Sequence, residues 1–114
     1  MSHRPEQINR ELLRGLSQII HDELPLEHYG LITLTEVNVG PGYESARVYF
    51  TTLKKNDEIT EDLLNKKAGW MRKMLEKKVM LRRIPQLIFT YDKRAERYEK
   101  IEQLLEEEEK KQAE

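Results

Sequence analysis

Apolar residues at Ile8, Leu12, Leu16, Ile19 and Ile20 recur every three or four positions, which puts one apolar stripe on a helix over Ser2 to Asp22. Pro5 suits the first turn of that helix, where a missing N–H costs nothing. Pro25 forbids its continuation, and after Gly30 the β-branched run Leu31 to Val39 predicts a strand. Gly40-Pro41-Gly42 marks a turn, beyond which Ala46, Val48 and Phe50 alternate with Arg47, Tyr49 and Thr51. A second strand follows there, antiparallel to the first. A long helix is expected from Glu58 toward Met80, capped by Asn56 or Asp57, with Glu58, Glu61 and Asp62 where the helix dipole favours acids. At about 100° per residue it carries two apolar rows. One is Ile59, Leu63, Trp70 and Met74, the other Leu64, Ala68, Met71, Leu75 and Val79. Lys67 and Lys78 would point between the rows of a straight helix, so a bend is predicted at Ala68-Gly69. Pro85 to Tyr91 predicts a third strand, and Ala95 to Glu109 a last helix whose apolar residues are Tyr98, Ile101, Leu104 and Leu105.

This order of helix, strand, strand, kinked helix, strand and short helix predicts an α+β fold, with a three-stranded sheet covered by helices on one face. Residues 1–105 are expected to form the single domain and 106–114 a charged, disordered tail. With 114 residues there is room for one core, and an apolar fraction of 38% against 36% charged leaves an ionic surface. The chain has no cysteine, which removes disulfides, thiolate metal sites and cysteine nucleophiles. No apolar run has the length of a membrane span or a signal core, so a cytoplasmic protein is expected.

The net charge of −1 conceals a dipolar layout. Residues 1–53 carry 4 basic and 7 acidic groups, residues 54–94 carry 12 and 6, and residues 95–114 carry 4 and 8. Between 66 and 83 the cations Lys66, Lys67, Arg72, Lys73, Lys77, Lys78, Arg82 and Arg83 face a lone Glu76, and a polyanion is the natural partner for such a patch. Counterion release from phosphates would drive that association. Trp70 could stack on an unpaired base, but its place in a row with Leu63 and Met74 predicts a core position. Tyr49 alternates out of phase with Val48 and Phe50 and is expected on the other sheet face. His3, His21 and His28 share no metal-ligand spacing, and the acidic pairs at 22–23, 57–58 and 61–62 are explained by helix ends. No phosphate-loop, Gly-x-Ser-x-Gly or His-Glu-x-x-His string occurs, so neither catalysis nor a cofactor is expected.

The chain resembles the ribosome-binding factor A family over roughly Arg4 to Leu105. The likeness rests on Arg4-Pro5, on Ile32-Thr33 through Val37 and Val39, and on Ala46-Arg47-Val48-Tyr49. It continues through Gly69-Trp70-Met71-Arg72 and Leu81 to Phe89, a Leu-Arg-x-x-Pro-x-Leu-x-Phe string closed by Asp92. The resemblance implies a type II KH-like domain whose Gly-x-x-Gly loop is replaced by a helix, kink, helix built on an Ala-x-Gly step. Here Lys67 stands where that alanine would be, and Ala68 is displaced by one residue; Gly40-Pro41-Gly42 stands where the family carries an Asp-Leu pair. It also implies a monomeric maturation factor that docks its basic kinked helix on the free 30S subunit and contacts the 5′-end region of 16S ribosomal RNA during late assembly. The reading from another class is a protein adaptor using the sheet face or the acidic tail.

Overall fold

The computed structural model describes residues 4–53 and 57–113. The elements are α1 (Pro5–Glu23), α2 (Leu26–Tyr29), β1 (Ile32–Val39), β2 (Ser45–Thr52), α3 (Asp57–Lys66), α4 (Ala68–Lys78), β3 (Gln86–Tyr91) and α5 (Arg94–Ala113). Met1 to His3, the cap expected at Asn56 and the last residue, Glu114, lie outside the described residues. The one-turn helix α2 was not foreseen; it closes on Gly30, whose φ of 69° is a conformation that suits glycine. The segment expected to be a disordered tail is helical as far as Ala113, with its described side chains exposed. Glutamate and lysine are good helix formers, and Glu106 and Glu107 precede Lys110 and Lys111 by one turn.

The sheet order is β1-β2-β3, with β1 antiparallel and β3 parallel to β2. Val48 pairs with Val37 on one side and Phe89 on the other, and Ala46 pairs with Val39 and Leu87, so these side chains share the covered face. A bulge between Leu34 and Glu36 inserts Thr35 and reverses the alternation of β1. Ile32 and Leu34 face inward before it, Val37 and Val39 after it. Leu12, Leu16 and Ile19 of α1, Leu64 of α3, and Met71 and Leu75 of α4 complete the core on that face. Gly15 lets α1 approach α4 closely: a Cβ there would stand 2.8 Å from a Leu75 methyl and 3.1 Å from Val79. The second apolar row of the long helical region supplies the buried residues Leu64, Met71, Leu75 and Val79, and of the first row Met74 alone packs against the core. Ile59, Leu63 and Trp70 of the first row are exposed, because α3 and α4 each turn a single stripe to the sheet.

β3 is an edge strand, and its outward backbone groups are met by α3. The Asn65 side chain accepts from the Phe89 N–H at 2.8 Å and donates to the Phe89 carbonyl at 3.0 Å. One turn earlier, the Glu61 carboxylate accepts from the Tyr91 N–H at 2.9 Å. These bonds occupy an edge that would otherwise template pairing with another chain.

On the uncovered face, Asp92 ties the start of α5 to the sheet. It is 5% exposed and accepts from the Thr35 hydroxyl at 2.6 Å, the Arg94 N–H at 3.0 Å and the Arg94 guanidinium at 2.8 Å. The guanidinium also meets Glu36 at 3.2 Å and lies over the Tyr49 ring, 5.8 Å from its centroid. Its hydrogen bond, helped by Thr35, outweighs burial and holds the Asp92 carboxyl well below the usual carboxylate range.

Two outcomes follow from this packing. Phe89 is 1% exposed at the centre of the core, so Phe89→Ala should cost about 3–5 kcal/mol in urea unfolding, enough to abolish folding in a domain of this size. Asp92 binds its proton more weakly folded than unfolded, so it contributes stability above pH ~4 that is lost as pH falls toward its lowered value. Acid titrations of the melting temperature should therefore fall less steeply below pH ~4 for Asp92→Asn than for the parent, from a lower starting point at neutral pH.

Candidate nucleic-acid interface

The long helical region breaks at Lys67, whose φ of −93° and ψ of 0° interrupt the helical run between Lys66 and Ala68. The Lys67 N–H is shared between the carbonyls of Leu63 and Leu64, at 3.2 and 3.1 Å, and its carbonyl starts the bonding of α4 by accepting from Met71 at 2.9 Å. The break thus falls one residue before the expected Ala68-Gly69 step, and Ala68 and Gly69 are the first two residues of α4. Nothing lies within 4 Å of a Cβ added to Gly69, and its φ is not in the left-handed region. Lys67 is held instead by rings: its ammonium lies 5.5 Å from the Trp70 centroid and 6.0 Å from that of Tyr29 in α2. This resolves the expected clash of Lys67 with the apolar rows, since its stem is half-buried and its charge meets aromatic faces.

The eight cations of the patch are not equivalent. Lys66 pairs with Asp62 at 2.9 Å, an exposed contact within α3 that contributes little and breaks readily. Arg72 is half-buried and donates from Nε to the Ile84 carbonyl at 2.9 Å, strapping α4 to the connector that leads into β3. Lys73 and Lys77 lie exposed on one face of α4, Lys78 is half-buried at its end, and Arg82 and Arg83 are exposed in the connector. Among the described residues none of these five carries an ion pair. Beside Arg72 a shallow cleft lies between α4 and the edge of β3, lined by Asn65, Ala68, Gly69, Gln86 and Ile88.

The break also separates signs. Glu61 is turned to β3 and Asp62 to Lys66, so the two acids of α3 nearest the break are engaged while Lys73 and Lys77 face solvent. Trp70, expected in the core, is 40% exposed. Tyr49 is on the uncovered sheet face as expected, half-buried beneath Arg94. His21 and His28 are exposed, His3 lies outside the described residues, and no cluster among the described residues could hold a metal. Sequence reasoning missed Asn65 and Glu61 as edge caps. The position of Glu61 in a first helical turn had offered a sufficient local explanation.

A family model described as ribosome-binding factor A matches residues 4–105. A Nitrosomonas eutropha ribosome-binding factor A is 38% identical over 106 residues, covering 91% of each chain. One from Aromatoleum aromaticum is 34% identical over 104 residues, covering 90% of this chain and 82% of its own. Among solved structures, the crystal structure of ribosome-binding factor A from Thermus thermophilus superimposes with a TM-score of 0.70 at 20% identity, over 78% of this chain and 97% of that one. The fold is similar as well to the Thermus thermophilus factor fitted into a map of its complex with the 30S subunit, with a TM-score of 0.68.

Because the break rests on Lys67 and the space around Gly69 is open, Gly69→Ala should raise stability by up to about 1 kcal/mol in urea unfolding. It should leave the helix break, read from amide chemical shifts at residues 66–68, unchanged.

Proposed function

The chain belongs to the ribosome-binding factor A family, and on that premise we propose that it binds the free 30S subunit during late small-subunit assembly and ribosomal RNA processing. Its cations meet the backbone of 16S ribosomal RNA in the region of the 5′ end. The protein acts as a cytoplasmic monomer, without cofactor or covalent chemistry. The observation that carries this reading is the group of exposed, unpaired cations Lys73, Lys77, Arg82 and Arg83, with Lys78 at its margin and Lys66 and Lys67 where α3 meets α4. Arg72 supports the interface from behind by fixing α4 to the connector. Positioning on phosphates requires only charge at fixed spacing, and a rigid factor that binds one conformer of a folding RNA better than the others shifts the population toward it.

A second reading has its own observation. Tyr98, Ile101, Leu104 and Leu105 of α5 are all more than half exposed, which suits a protein adaptor as well as a solvated helix. Salt separates the two, since an apolar interface is insensitive to it. Co-sedimentation with free small subunits should weaken about 100-fold between ~50 and ~200 mM salt if four cations displace counterions. The double variant Lys73→Glu, Lys77→Glu should bind at least tenfold more weakly at low salt while keeping its melting temperature, as both side chains are exposed. Binding that ignores salt and this double reversal would place the docking face elsewhere.

A further inference from the structure

Trp70 is the chain's sole tryptophan, and it is 40% exposed although Met71 beside it is fully buried. Leaving so large an apolar ring in water forgoes the burial that its neighbours obtain. The surroundings are cationic. Lys67 stands over the ring, Lys73 and Lys77 follow at i+3 and i+7 on the same face of α4, and Lys66 ends α3. Lys67 is in turn held by Tyr29, so the ring and its ammonium are braced from α2 before any ligand arrives.

We propose that Trp70 is a stacking platform for one unpaired base of single-stranded RNA, with Lys67, Lys73 and Lys77 on the flanking phosphates. This rests on the RNA-binding reading above and names the form of RNA the site takes. A π-face set among lysines matches a base with its phosphates, whereas an apolar protein surface laid over it would strip water from several ammonium groups without compensation. The RNA has to be single-stranded at this point, because in a duplex each base face is already stacked on its neighbours. Bracing of the ring reduces the side-chain freedom lost on binding.

The sole tryptophan makes the test direct. Single-stranded oligoadenylate, an RNA duplex of equal length and inorganic polyphosphate are titrated into the full chain at low salt. Tryptophan fluorescence and competition against a labelled oligoadenylate are read together. Oligoadenylate should quench the fluorescence, and polyphosphate should compete while quenching far less. Trp70→Ala should weaken oligoadenylate about 5- to 150-fold and weaken polyphosphate far less, since Lys73 and Lys77 remain. Trp70→Phe should lose less, and it stands in if the alanine variant does not fold. Oligoadenylate that binds the parent without quenching, or binds Trp70→Ala equally well, overturns the platform and leaves the phosphate-binding reading intact. If neither oligoadenylate nor polyphosphate binds the parent at low salt, both are overturned.

Discussion

β3 runs parallel to β2, and a parallel neighbour cannot be reached by a tight turn. The chain has to travel back along the sheet before β3 begins, and it does so as helix. A straight helix over residues 57–78 would be about 33 Å long against a six-residue strand of about 20 Å. Breaking that helix at Lys67 lets Leu64 on one arm and Met71 and Leu75 on the other reach the same core. It also lays α3 along the outer edge of β3, where Asn65 and Glu61 meet the backbone of Phe89 and Tyr91.

The candidate interface is a product of that break. Once α3 is committed to the strand edge, Glu61 and Asp62 have partners, and α4 presents Lys73 and Lys77, which carry no ion pair among the described residues. Arg72, one of the cations in the middle of the patch, is drawn out of it to hold the Ile84 carbonyl, and this fixes the angle from which Lys73 and Lys77 face solvent. The residues that support the surface and those that form it therefore alternate along a single helix.

A second tie works from the opposite side of the sheet. The extra residue at the β1 bulge aims the Thr35 hydroxyl at Asp92, which gathers Arg94 and through it Glu36 and Tyr49. Three strands and the first turn of α5 are joined by one carboxylate that is well satisfied, as a buried charge has to be. The sheet is thus fastened on its open face by polar bonds and on its covered face by apolar contact.

Periodicity alone was enough for α1, for the hairpin of β1 and β2, for β3 and for the existence of a helical crossover, because each depends on local spacing of apolar and turn residues. The basic character of residues 66–83 and the likeness to ribosome-binding factor A were legible for the same reason: both are properties of neighbours in the chain. What the spacing could not say was which of two adjacent apolar rows turns inward, and so Trp70 was assigned to the core when it lies at the surface. Nor could it place the break on Lys67 or show that this lysine meets Tyr29, which lies far away in sequence and reaches it only after folding. Asn65, Glu61, Arg72 and Asp92 look like ordinary polar residues until a strand edge, a connector carbonyl or a bulge is brought against them. Tertiary structure decided their roles because a hydrogen bond needs its partner within about 3 Å, and the partners of all four belong to other elements of the fold.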